Sequence, residues 1–332
     1  MSTSAIAVSE ARSSAWSKVR DFVELTKPRI AVLVLLVVVA SGIAANWGFS
    51  GGWALVHAVI GTCLVAASAS AANQLLERDR DALMNRTSDR PLPSGRITPA
   101  AALLFAAVTL LGGGLWLALL AGWQPAIWGL VTWCLYVLVY TPLKTRVTAN
   151  TAIGAVAGAL PVFIGWSAGG GTIDVRSASL FLILLLWQFP HFMAIAWLYR
   201  HDYARGGYQM LPVVDPSGRR AAVQSVLAAA ALVPVAALPA LGAPNWMGVL
   251  YIVAVTMLSV AQLAIAFWFL LATSDRSARC LLRMSLVYMP VLLMSLIAIP
   301  AFEAGGQRSE VKDQNAATAL AQNDLPPLTP DS

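Results

Sequence analysis

Asn73, Glu77 and Asp81 stand four residues apart in a chain in which only 11% of residues are charged. At about 100° per residue the three fall within about an 80° arc of one helix face. An amide and two carboxylates on one stripe are hard oxygen donors, suited to Mg²⁺ rather than to zinc. Mg²⁺ held by so few carboxylates keeps waters and reaches substrate phosphate as well. The residues that follow supply the opposite sign. Arg86, Arg90 and Arg96 flank the turn-rich stretch "RPLPSG", and arginine makes bidentate contacts with phosphate oxygens. One cause accounts for both signs: the acids hold a metal, and the metal and arginines together hold a diphosphate. The competing account is a solvated loop of i,i+4 ion pairs and arginines placed there by topology.

A second polar cluster lies in "WQFPHFMAIAWLYRHDYARGGYQMLP", with Gln188, His191, Asp202 and Arg205. His191 and Asp202 are eleven apart, about 1100° of helix, which returns them to nearly the same face. Pro190 should kink that helix. An ionisable group inside an apolar helix is a functional hypothesis by default, against the plainer alternative of a hydrogen-bonded packing histidine. A third patch places Lys144 and Arg146 at a helix end, followed by Asn150. Gly154 and Gly158 then have the spacing of a small-residue packing face.

The elements that must position these residues are apolar helices. The chain is 58% hydrophobic, with a mean hydropathy of +0.70, and runs of about 18 or more apolar residues read as membrane spans. Nine are expected, at roughly 30–47, 53–76, 100–121, 124–141, 150–168, 178–199, 221–241, 246–272 and 281–301. Backbone polar groups in lipid must be satisfied within the span, so these are helices. No ten-residue alternation suggests barrel strands. The fold class is therefore all-α, a polytopic membrane bundle (29–301) between an N-terminal segment (1–28) and a polar, disordered tail (302–332). The first span runs through "IAVLVLLVVVASGIAA" without a small-residue cleavage site and is expected to be retained. If the N-terminus is inside, every Lys and Arg except Arg176, Arg308 and Lys312 falls on the cytoplasmic side, and the C-terminus is external. The net charge of +6 then needs no nucleic-acid partner, only loop topology and anionic lipid. Many of the 12 Trp sit near span ends, as interface anchors do. Cys63, Cys134 and Cys280 form no metal or disulfide motif and read as ordinary thiols.

"NQLLERDRDALMNRTSDRPL" resembles the first Asp-rich motif of the UbiA-type intramembrane prenyltransferases. "ELTKPRI", "NTAIGAVAGALPVFIGW", "WQFPHFMAIAWLYRHDYARGGYQMLPV" and "ARCLLRMSLVYMP" are similar to segments of the haem-modifying branch of that family, so the resemblance spans roughly residues 20–300. Quinone-type relatives carry a second Asp-rich motif; here it is reduced to Asp202 with His191 upstream. The resemblance implies a helical bundle around a cavity open sideways to the lipid bilayer, in a bacterial inner membrane. It implies transfer of farnesyl from farnesyl diphosphate to a vinyl group of haem b, giving haem O. Asn73, Glu77 and Asp81 would bind Mg²⁺, and Arg86 and Arg90 would clamp the diphosphate, helped by Lys144 and Arg146. Asp202 would face them, and His191, with Gln188 and Arg205, would lie on the acceptor side. His191 could meet haem iron, a propionate or the vinyl region. A haem A synthase or an oxidase assembly factor is the partner that would take the product. Two rivals stay open at this point: the same chemistry on a quinone precursor or another tetrapyrrole, and a membrane carrier with purely topological charges.

Overall fold

The structure is a computed structural model that describes residues 16–46, 52–240 and 246–297. The expected tail, 302–332, lies outside the described residues. Among the described residues nine helices are long and apolar enough to cross a membrane. They are α1 (Pro28–Ala45), α2 (Gly52–Asp81), α3 (Pro99–Ala121), α4 (Trp123–Leu143), α5 (Asn150–Ala168), α6 (Val175–Leu198), α7 (Arg219–Ala240), α8 (Gly248–Leu271) and α9 (Asp275–Ile297). The expected spans match these in number and order. The main differences are at ends. α2 continues to Asp81, so the whole Asn73–Asp81 stripe is helical, and α9 begins at Asp275 rather than 281.

Local chemistry explains several of these ends. Thr98 accepts a hydrogen bond from the Ala101 N–H and Pro99 follows, a favourable helix start. Asp174 and Ser177 form a reciprocal capping box ahead of α6. Trp53, Trp123 and Trp246 are exposed at or just before the starts of α2, α4 and α8, which all begin on the side away from Asp81. That is the position of an aromatic belt.

The bundle has an inside and an outside. α5 and α6 are the centre, with 67% and 50% of their most apolar stretches buried, whereas α3 and α4 bury only 17% each. One apolar cluster joins α1, α5, α6, α7 and α9 through Ala40, Trp166, Ile183, Leu232 and Tyr288. In lipid, apolar side chains gain little by leaving one hydrocarbon for another, so close backbone packing carries helix association. A Cβ on Gly165 of α5 would lie 2.0 Å from the Val38 carbonyl oxygen of α1, and one on Gly113 of α3 would lie 2.9 Å from the Val65 nitrogen of α2. The pair expected to form one packing face, Gly154 and Gly158, serves two neighbours instead. Gly154 admits the Tyr140 ring of α4 and Gly158 admits the Gln188 amide of α6.

Candidate active site

The last turns of α2 carry the stripe into the protein. Asn73 is 0% exposed, Glu77 6% and Asp81 1%. The neighbouring Asp79, paired with Arg78 at 3.0 Å, has 86% of its side chain exposed. The charged stretch therefore divides in two. One face is the solvated ion-pair surface of the plainer account, and the other is buried.

Each buried oxygen group faces one cation. Lys27 Nζ donates to Asn73 Oδ1 at 2.8 Å. Lys144 Nζ lies 2.8 Å from Glu77 Oε1. Arg90 donates to Asp81 Oδ2 at 2.7 Å. From the sequence, Lys27 reads only as one of the cytoplasmic-side charges. It is the sole non-glycine residue with positive φ among the described residues, at 52°, directly before Pro28. Such a conformation costs on the order of 1–3 kcal/mol and persists only where its surroundings enforce it. Burial pushes the Lys27 ammonium down to about 7, with Arg90 and Lys144 adding to the effect and Glu77 opposing it. Lys144 goes the other way. Burial alone would lower it, but Glu77 and the rings of Tyr140 and Tyr136 hold it well above the usual lysine range.

Asn73 is oriented by a short chain of bonds that the sequence did not reveal. Residues Leu135–Tyr140 of α4 form a π-helical segment. Thr141 Oγ1 donates to Tyr136 O at 2.9 Å and accepts from Asn73 Nδ2 at 3.0 Å. Asn73 Oδ1 is thereby left to face Lys27. Wide π turns of this kind recur at functional sites because they redirect one side chain.

The loop after α2 folds as consecutive turns over this face, pinned by Thr87 Oγ1 to Asp81 O at 2.8 Å. It meets the segment that follows α6. Arg80 donates to Gly206 O, and Arg205 donates to Asn85 Oδ1 at 3.2 Å. Arg86 stacks on Tyr199 at 4.6 Å and donates to the Tyr203 hydroxyl at 3.3 Å. Burial opposes its charge, but Tyr203, Tyr199 and Asp202 more than offset that and raise Arg86 above its ordinary value. The Asp202–Arg205 end of the second polar cluster is thus brought to the first. Arg146, by contrast, is exposed, with no side-chain hydrogen bond or ion pair to the described residues. Arg96, grouped with the phosphate arginines from its position, is bound by Asp21, Glu24 and the Asp89 carbonyl. It ties down the helical segment at 16–25 instead.

The relation inferred for His191 and Asp202 needs correction. α6 runs through Pro190 without a break but ends at Leu198. Tyr199 leaves the helical region, and Arg200–Arg205 is a separate short helix. The angular count across eleven residues therefore fails. Asp202 pairs with Arg205 beside the α2 loop. His191 faces α9, with Nδ1 2.9 Å from Ser285 Oγ, stacked on Trp187 at 5.0 Å. Gln188 spends its Nε2 on the Ala155 and Leu184 carbonyls, a link between α5 and α6.

The donor set fits Mg²⁺. Its oxygens are hard and share one buried face, and each already draws a positive group. Glu77 Oε1 is buried with no directed hydrogen bond, despite its ion pair with Lys144. No three His, Cys, Asp or Glu side chains converge among the described residues. The protein thus offers two carboxylates and an amide here, and further ligands would be water or phosphate.

Comparison with known proteins agrees with this architecture. A digeranylgeranylglyceryl phosphate synthase superposes with a TM-score of 0.69 at 16% identity, covering 86% of this chain and 99% of that one. A UbiA homolog from Archaeoglobus fulgidus bound to GPP and Mg²⁺ superposes with a TM-score of 0.60 at 19% identity, over 84% and 99% of the two chains. In sequence, the protoheme IX farnesyltransferase of Rhodopirellula baltica is 44% identical over 286 residues, 82% of this chain and 97% of that protein. Residues 32–289 match the UbiA prenyltransferase family, and this multi-pass membrane protein belongs to that family.

Proposed function

We propose that the chain transfers the farnesyl group of farnesyl diphosphate to a vinyl group of haem b, giving haem O and diphosphate. The observation that carries this reading is the buried Asn73–Glu77–Asp81 face matched by Lys27, Lys144 and Arg90, in a chain 44% identical to a protoheme IX farnesyltransferase. Asn73, Glu77 and Asp81 would hold Mg²⁺, which supplies charge stabilisation for the departing diphosphate. Arg86, Arg90 and Lys144 neutralise the same developing charge, and exposed Arg146, two residues after Lys144, adds to the positive field there. Asp202 holds Arg205 beside the loop. His191 lies on the acceptor side.

The allylic C–O bond breaks and its electron pair leaves with diphosphate. The vinyl π electrons form the new C–C bond to farnesyl C1. Water adds to the resulting cation and loses a proton, leaving the hydroxyl of haem O. A face buried in a bundle keeps stray water from the allylic cation until that step. The Lys and Arg distribution supports a cytoplasmic N-terminus, with the metal face at the cytoplasmic surface; the membrane itself we read as a bacterial inner membrane.

The test is incubation of membranes with radiolabelled farnesyl diphosphate, haem b and Mg²⁺. Label should enter haem, and EDTA should stop it. Label transferred only to a 4-hydroxybenzoate control, or to no acceptor, would overturn the assignment.

A further inference from the structure

Two aromatic side chains one turn apart on α6 converge on one residue of α9. Trp187 Nε1 donates to Ser285 O at 2.9 Å, and His191 Nδ1 lies 2.9 Å from Ser285 Oγ. The two rings stack at 5.0 Å and 21°, so the imidazole plane is fixed as well as its edge.

The tautomer follows from one proton. Ser285 Oγ lies 2.7 Å from the Leu282 carbonyl oxygen, which can only accept. The hydroxyl proton goes there, so Ser285 Oγ is an acceptor toward His191. Nδ1 then carries the ring proton, and Nε2 of the neutral ring keeps its lone pair. Nε2 has no hydrogen-bond partner among the described residues, and it is not one of the polar atoms sealed from the surface. An imidazole held at Nδ1–H by an oxygen acceptor, with Nε2 open, is the arrangement of a metal-binding histidine. An Nε2 without a proton cannot donate to a propionate, and the iron is the electron-pair acceptor that haem itself presents to a lone pair.

We infer that His191 Nε2 binds the iron of the haem acceptor as an axial ligand, with Ser285 the positioning residue that fixes its tautomer and ring plane. The bond is a coordinate one: both electrons come from Nε2, and the iron keeps its oxidation state. Ligation gives a flat, apolar macrocycle one fixed point, so that one vinyl group is held toward the farnesyl carbon instead of sliding within the site. This inference rests on haem being the acceptor.

The experiment is a haem b titration of the full-length protein in nanodiscs, read by absorption and by resonance Raman in the ferrous state. The wild type should show an iron–imidazole stretch. His191→Ala should lose it and bind haem about tenfold more weakly or worse, and added imidazole should restore the wild-type spectrum. Ser285→Ala should keep binding of a farnesyl diphosphate analogue, which reports folding, while shifting the stretch and weakening haem binding several-fold. Ser285→Thr keeps the hydroxyl and should behave as wild type. A wild-type spectrum without imidazole ligation, or one unchanged in His191→Ala, overturns the inference. Farnesyl transfer measured on the same preparations separates it from the parent reading. Transfer without ligation removes the ligand and leaves the enzyme. Ligation without transfer keeps the ligand and removes the farnesylation.

Discussion

Lys27 Nζ lies 2.8 Å from Asn73 Oδ1, and this contact joins the turn before α1 to the last third of α2. It completes a set in which Lys27, Lys144 and Arg90 reach the face from three separate parts of the chain. A buried charge without a partner costs several kcal/mol, so the acids and cations are held there by one another. Lys27→Met should therefore raise KM for farnesyl diphosphate about tenfold. Lys27→Gly removes the amine but relieves the left-handed backbone, so it should lose the same activity while melting no lower than Lys27→Met. Wild-type kinetics in Lys27→Gly would show that only the turn matters.

The pairing alters what is expected of the acidic residues. If Glu77 and Asp81 hold Mg²⁺ as proposed, Glu77→Gln and Asp81→Asn should each lower transfer by about a hundredfold or more, since each would remove a charged ligand with little change of shape. Glu77→Gln also leaves Lys144 buried without its counter-charge, a loss of about 3–5 kcal/mol when one partner of a buried pair is removed. Glu77→Gln combined with Lys144→Met should recover thermal stability but no activity. Recovery of activity in the double variant would show that Glu77 serves only to balance Lys144.

The parts of this site that could be read from the sequence are those with short-range order. The Asn73–Glu77–Asp81 stripe is set by helix periodicity, and the nine spans by runs of apolar residues. Which cation meets which acid is a long-range matter. Lys27 and Asn73 are 46 residues apart, and nothing in the local pattern of "TKPRI" separates a site lysine from a topological one. The π-helical segment that lets Thr141 orient Asn73 has no periodic signature. The end of the sixth span near 199 is legible from hydropathy, but the change of direction between Leu198 and Arg200 is not, because neither Gly nor Pro marks it. The pairing of Arg96 is a long-range matter too: its partners, Asp21 and Glu24, lie 75 and 72 residues away in the chain.

Arg96 and Arg86 should thus separate cleanly. Under the proposed assignment, Arg86→Ala and Arg90→Ala should raise KM for farnesyl diphosphate by about tenfold while haem binding holds, since each would remove a bidentate phosphate contact. Arg96→Ala should leave that KM within about twofold. Its effect should be on the segment at 16–25, seen as faster amide exchange or proteolysis there. An Arg96→Ala defect confined to diphosphate affinity would return this residue to the phosphate site.

Close packing at glycines holds α1, α5 and α6 in register. A Cβ at Gly165 would stand 2.0 Å from the Val38 carbonyl oxygen, and one at Gly169 2.2 Å from the Gly42 carbonyl oxygen. Backbone cannot step aside as a side chain can, so Gly165→Ala must part α1 from α5. Overpacking costs typically about 1–3 kcal/mol, and more where backbone is the obstacle. Gly158→Ala meets a different obstacle, the end of the Gln188 side chain at 2.2 Å. It should destabilise alone and be rescued by Gln188→Ala, which vacates the space. Gly112 and Gly114 of α3 have nothing within 4 Å of a Cβ and provide the control. Alanine there should be neutral or stabilising by about 0.5–1 kcal/mol, the usual helix gain over glycine. Detergent-phase melting of the four single variants and the rescue pair reads all of this. Equal melting of Gly165→Ala and Gly112→Ala would mean that α1 and α5 do not pack at the distance described.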